Sequence, residues 1–332
     1  MHIQCGRHMA AAALAAAAGL AHAGTSYYVA PGGSDANPGT LAQPWLTVGH
    51  AANVLKAGQT AYVRAGVYHE SVTIAHSGDA SAGPVTLQAY PGEKPVLDGT
   101  GVACCGDTIK GLVNIADKSH VVVSGFEIRN FKSGSASQEP AGILVTGSGT
   151  DIRILGNDVH DIVTTKEASN GNAHGIGVYG TGATPISGLV LSGNEVHALK
   201  TGWSESVTLD GNVTGFTVTG NVVHDNDNIG IDMAGFWGVG PSGHDQASGG
   251  TVSGNTVYGI TSLHNAAYGG VYGADGIYCD GCANVVIERN AVYANDLNIE
   301  AASENAGHVS SGVTIRDNLL RDPNVADLSI GG

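Results

Sequence analysis

Hydrophobic and polar residues alternate in short runs along most of this chain, and the runs recur. The stretch 151–161, Asp-Ile-Arg-Ile-Leu-Gly-Asn-Asp-Val-His-Asp, returns with variations at 189–197, 216–225, 251–258, 285–293 and 313–321. An earlier copy at 121–128 carries Phe126 in the Asn place. Each copy reads as two alternating strands separated by a bend, the two-residue period of β-structure and not the 3.6-residue period of a helix. The recurring Asn157, Asn194, Asn221, Asn255, Asn290 and Asn318 are spaced by 27 to 37 residues. Repeats of that size stack on their neighbours to bury one continuous core. An Asn at the same bend of every coil is placed to bond its neighbours above and below, forming an internal ladder.

A further strand falls between successive copies, at 142–145, 175–178, 206–209, 230–233, 276–279 and 298–301, most of them opening on a Gly-Ile step. Three strands per turn, coiled in one direction, predict an all-β parallel β-helix. A helical solenoid needs amphipathic segments of 10–15 residues, which are absent, and a propeller blade needs four strands per repeat. Residues 47–57 are the one convincing short helix, expected to cover the N-terminal end, where an open β edge would invite pairing. The expected organisation is a single β-helix domain over 24–332, with a cap in 24–75 and coils from 84 onward.

Composition narrows the class. Of 332 residues 51 are Gly and only 13% are charged, while 42% are hydrophobic. That is globular composition, not disorder. All seven Lys lie at or before Lys200, so the clustered basic surface of a nucleic-acid binder is missing. Arg7 and His8 precede the apolar run Met9–Leu20, and Ala21-His-Ala23 follows. Residues 1–23 therefore read as a secretory signal peptide, too short in its apolar run to span a bilayer. No other stretch approaches 18 apolar residues, so a soluble protein exported to the periplasm or medium, acting as a monomer, is expected. Removing the leader leaves 13 basic against 29 acidic residues, 13 − 29 = −16. Cys104, Cys105, Cys279 and Cys282 remain. An oxidising compartment favours a Cys279–Cys282 bridge over zinc.

The acid excess has a place. Aligned on the Gly-Ile step, the outward residues after Ile are Leu144, Gly177, Thr208, Asp232, Tyr278 and Glu300. Two residues on come Thr146, Tyr179, Asp210, Ala234, Asp280 and Ala302, and before the step stand His174, Glu205 and Asp275. Coils stack roughly 4.8 Å apart, so Glu205, Asp210, Asp232, Asp275, Asp280 and Glu300 crowd one face. Carboxylates this close do not all stay ionised unless a cation joins them or their pKa values rise. An oxygen-rich, lysine-poor site suits Ca²⁺, with Asp227 and Asn228 in the preceding turn adding oxygens. The plain alternative is a solvated acidic stripe. Insertions around 163–173, 235–248 and 261–274 place loops beside this face, where Trp237 and Tyr268 offer aromatic surface to a sugar. The series His160, His197, His224, Tyr258 and Tyr293 reads as stacking between coils.

Two resemblances follow from these residues. Residues 27–40, 43–47 and 61–70 resemble the N-terminal cap of secreted right-handed β-helix proteins of the pectate-lyase-like superfamily. The stretch 205–232 is similar to the calcium-binding region of family 9 polysaccharide lyases. That resemblance implies Ca²⁺ held by Glu205 and Asp232, with Asn228 and Ile229 where the family has paired Asp, and Asp227 as a substitute. It also implies a Lys base on the next coil, but Tyr278 stands there. Tyr278 is the expected base or acid, with Lys200 and then His174 in reserve. The substrate implied is an acidic, uronate-containing polysaccharide contacted by Asp210, Trp237, Asp280 and Glu300. Inverting hydrolysis by a carboxylate pair, uronate epimerisation and non-catalytic glycan binding are the other readings.

Overall fold

A computed structural model describes residues 24–106 and 108–331; the expected signal peptide lies outside them. Three long parallel sheets run the length of the chain, of ten, nine and nine strands, and a small three-stranded sheet accompanies them. Within each sheet the strands follow one another in chain order, one per coil. This is the right-handed parallel β-helix expected from the repeats. Its core holds the inward members of each alternating run, such as Ile154, Leu191, Val218, Val252 and Ile287, all essentially inaccessible.

The asparagine ladder forms as the spacing predicts. Asn157, Asn194, Asn221, Asn255 and Asn290 each donate Nδ2 to Oδ1 of the next Asn at 2.9–3.1 Å. The same Oδ1 also accepts the backbone N–H of the Asn below it. The bends are thereby buried without orphaned amides. On the outside, His160, His197, His224, Tyr258 and Tyr293 stack with ring centroids 4.8–5.2 Å apart, and the guanidinium of Arg321 closes the column over Tyr293.

Gly in the Gly-Ile step answers to close approach of neighbouring coils. A Cβ at Gly175 would meet the Ser206 carbonyl oxygen at 2.7 Å, and one at Gly276 the Asn298 carbonyl oxygen at 2.7 Å. The cap helix spans Val48–Val54, slightly shorter than expected. Thr47 caps it by accepting from the His50 N–H, and the Glu70 carboxylate takes the Val48 and Gly49 N–H groups, which suits the positive end of the helix dipole. Cys279 is bonded to Cys282, and Cys104 to Cys105, a pairing of neighbours that spacing did not suggest. No helix among the described residues is long and apolar enough to cross a membrane.

Candidate active site

The sheet carrying strands His174–Gly180, Val207–Gly211, Ile231–Ala234, Asp275–Asp280 and Leu297–Ala302 forms the floor of a cleft of about 530 Å³. Register fixes which side chains meet. Gly177 pairs with Thr208, Thr208 with Asp232, Asp232 with Tyr278 and Tyr278 with Glu300. One step along, Tyr179 pairs with Asp210 and Ala234 with Asp280. Because the period is two, every member of each row faces outward together.

Glu205, Asp210, Asp232, Tyr278 and Asp280 all line the cleft, with Glu304 at its far rim. Among the described residues no Lys, Arg or His lines it. Burial is the main cause of strain on the charges. It raises Asp232 well above the carboxylate range, helped by Glu205, Asp280 and Asp210. Burial and Glu205 push Asp210 up to about 7. Asp280 is raised by burial, although the Glu304 N–H at 2.8 Å and the Trp237 indole N–H at 2.6 Å both donate to it. Tyr278 is raised by burial and by Asp280, Glu304 and Glu300, so its phenol holds its proton firmly. Its ring packs with Ile229 and Ala302.

Asp275 and Glu300 lie just behind the lining. Burial, and after it the neighbouring Glu300, raises Asp275 strongly; Glu300 accepts from Ser329. Asp227 turns toward the neighbouring groove, accepting from the N–H and hydroxyl of Thr201. Lys200 lines that groove as well, with Nζ 3.4 Å from Glu167, and not the acidic cleft. Asn228 donates to the carbonyls of Gly202 and Ser204, shaping the turn that presents Trp203.

His174 is fully buried behind the floor. Its Nε2 lies 2.6 Å from Glu139 and 3.0 Å from the Tyr179 hydroxyl, and its Nδ1 lies 3.2 Å from the Glu205 carbonyl. Burial opposes its charge, but Glu139 and Glu205 outweigh that and raise its pKa. His174 therefore reaches the cleft through Tyr179. Tyr179, Trp203 and Glu304 are lining residues that the strand alignment did not single out. A second convergence of possible ligands, Glu127, Asp158 and His160, lies on the ring-stack face, where Lys94 and Arg129 already pair with its acids.

Whether the cleft fits a cation is tested by its unpartnered atoms. Among the described residues the buried side-chain oxygens without a hydrogen-bond partner include Oδ2 of Asp227, Oδ1 of Asn228, Oδ1 of Asp232 and Oδ1 of Asp275. A buried acceptor left unmade costs about 1–3 kcal/mol. Of these four only Asp232 lines the cleft; Asp227 faces the neighbouring groove, and Asp275 lies behind the lining.

The family described as Pel9A-like, right handed beta helix region matches residues 27–313. The chain belongs to this family. It is 41% identical over 309 residues to the uncharacterized protein YwoF of Bacillus subtilis, covering 93% of this chain and 64% of that protein. It is 29% identical over 141 residues to the pectate lyase PEL9 of Emericella nidulans, covering 42% of this chain and 32% of the fungal protein. The chain thus spans less than two thirds of either relative. The GH136 lacto-N-biosidase of Eubacterium ramulus has the same fold, with a TM-score of 0.66 at 16% identity, over 89% of this chain and 55% of that one.

Proposed function

We propose that this chain is an exported polysaccharide lyase that cleaves a uronate-containing glycan by Ca²⁺-assisted β-elimination. One observation carries the reading: Asp232, in a cleft whose titratable lining is acids and tyrosines with no described Lys, Arg or His, owns a buried oxygen with no partner. Glu205 and Asp232, which line the cleft, would hold the cation through hard oxygen donors of the kind Ca²⁺ takes, with Asp275 behind them; Asp227, which faces the neighbouring groove, and Asn228, in the Trp203 turn, stand apart from it. When bound, the cation pairs with the uronate carboxylate and stabilises charge developing beside it.

The chain's own residues divide the remaining tasks. Tyr278 is assigned to take the proton from C5 as its phenolate, its own proton having first left to solvent. A bound cation would offset the part of its raised pKa that comes from Asp280, Glu304 and Glu300, while burial, the larger cause, remains. As the C4–C5 double bond forms, the C4–O bond breaks and the departing oxygen takes its proton from Asp210, which burial keeps protonated up to about pH 7. Tyr179, backed by His174 and Glu139, adds a phenol to the same floor.

Incubation with polygalacturonate, alginate and glycosaminoglycans in Ca²⁺ tests the reading. Ultraviolet-absorbing unsaturated uronates should appear and vanish with EDTA, and silence across the panel contradicts it. Hydrolysis is the second reading, favoured by the absence of a Lys base among several protonated carboxyl groups. Reducing ends released without an unsaturated product select it. Export rests on the leader at 1–23 and agrees with two disulfides; N-terminal sequencing of the exported protein should begin after Ala23.

A further inference from the structure

Asp280 is held by two segments that are far apart in the chain. Trp237, in the insertion that follows strand Ile231–Ala234, donates its indole N–H to Oδ2 at 2.6 Å. The Glu304 N–H, in the segment that follows strand Leu297–Ala302, donates to Oδ1 at 2.8 Å. The same two segments meet again at Phe236, whose ring stacks on the His308 imidazole with centroids 4.0 Å apart and planes 16° apart. Asn305 adds a longer tie, its Nδ2 donating to the Gly235 carbonyl at 3.3 Å.

Phe236 is the strained member of this set. Its φ of +72° lies in the left-handed region, where a bulky side chain is an outlier. Such a backbone persists only where its surroundings over-determine it. One restraint is internal to the insertion, the Phe236 N–H donating to the Asp245 carbonyl at 2.8 Å. Gly281 leaves room for the ring: a Cβ there would meet Phe236 Cδ2 at 2.8 Å. The His308 ring supplies the face-to-face contact that holds Phe236 against a different segment. The direction the chain takes at Phe236 sets where the next side chain points, and that side chain is Trp237. Trp237 is 51% exposed, so water competes for its N–H, and the indole stays on Asp280 only while the backbone before it is held.

We infer that Phe236 and His308 are positioning residues that clasp the two segments together, and that this clasp keeps the Trp237 indole on Asp280. Neither ring is part of the cleft lining; each acts through Trp237, which is. The clasp stands whichever reaction the cleft performs.

Nuclear magnetic resonance of the full chain, labelled with ¹⁵N at the indoles, tests the clasp. The chain has three Trp, each with its own acceptor: Trp45 donates to the Asn37 carbonyl, Trp203 to Asn170 and Trp237 to Asp280. Each should give its own indole N–H resonance, and Trp237→Phe identifies that of Trp237. His308→Ala should move this resonance and speed its exchange with water roughly tenfold, while the other two stay in place. Phe236→Leu should do the same. His308→Phe, which restores a stacking ring, should return position and exchange rate to those of the wild type. A Trp237 resonance unmoved by the loss of either ring, or unrestored by His308→Phe, would overturn the inference. Movement of all three resonances in His308→Ala would also overturn it, because the stack would then support the fold at large.

Discussion

Asp232 lies directly beside Tyr278 in the register of successive coils, and its Oδ1 is buried without a hydrogen-bond partner. A carboxylate in that position weakens the fold unless it is protonated or joined by a cation. Asp232→Asn removes the charge and keeps the shape. In EDTA at neutral pH the variant should melt higher than the wild type, while calorimetry with Ca²⁺ should show affinity reduced at least about tenfold. A variant that melts lower yet binds Ca²⁺ normally would place the cation elsewhere.

Asp210 gives the pH dependence its sign. Burial and Glu205 raise it to about 7, against about 4 in an unfolded chain, and Asp232 and Glu205 shift the same way. The native state therefore binds more protons than the unfolded state between about pH 4 and pH 7, so stability falls as pH rises through that window. In EDTA the melting temperature should be highest near the acid end and decline toward neutrality. Added Ca²⁺ should raise it most at the neutral end. A metal-free melting curve that climbs across the window would contradict the buried, protonated floor.

Trp237 offers a finer test, because its indole N–H donates to Asp280. Trp237→Phe keeps a ring on the wall and deletes the donor. A hydrogen bond to a charged group is worth roughly 1.5–3 kcal/mol, so the Asp280 carboxyl should rise further. The acid limb of the activity profile should then move to higher pH, with kcat falling about tenfold. An unshifted limb would mean that Asp280 does not titrate in turnover.

The ladder supports the site from within. Asn221 accepts from Asn194 and donates to Asn255 and to the Leu191 carbonyl. Asn221→Ala leaves several buried groups unpaired, at about 1–3 kcal/mol each. Urea unfolding should show a loss of about 3 kcal/mol or more with an unchanged m-value. A loss under about 0.5 kcal/mol would mean the ladder is dispensable.

Much of this geometry was legible in the sequence because two periods coincide. The alternation within a strand sets which residues face out, and the coil repeat sets which of them become neighbours. Aligning the Gly-Ile steps thus gave the row from Leu144 to Glu300 in its true register. Turns obey neither period. Asp227 and Asn228 are adjacent, yet one caps Thr201 on the neighbouring groove and the other ties the turn before Trp203. Lys200, close in sequence to Glu205, is likewise carried into the other groove by that turn. Glu139 lies at the start of its strand, well before the Gly-Ile step. Its bond to His174 required the paths of two coils to be known. Trp203 and Glu304 sit just outside the aligned strands, where coil-by-coil comparison of the flanking turns would have drawn attention to them.

The central claim is elimination assisted by a cation held on the acidic floor, and the product formed from a uronate-containing glycan tests it most directly. With Ca²⁺ present, the wild type should generate ultraviolet-absorbing unsaturated uronate ends, EDTA should abolish them, and restored Ca²⁺ should return them, while Asp232→Asn stays silent throughout. Cleavage that yields only saturated reducing ends, or that proceeds undiminished in EDTA, would contradict the account.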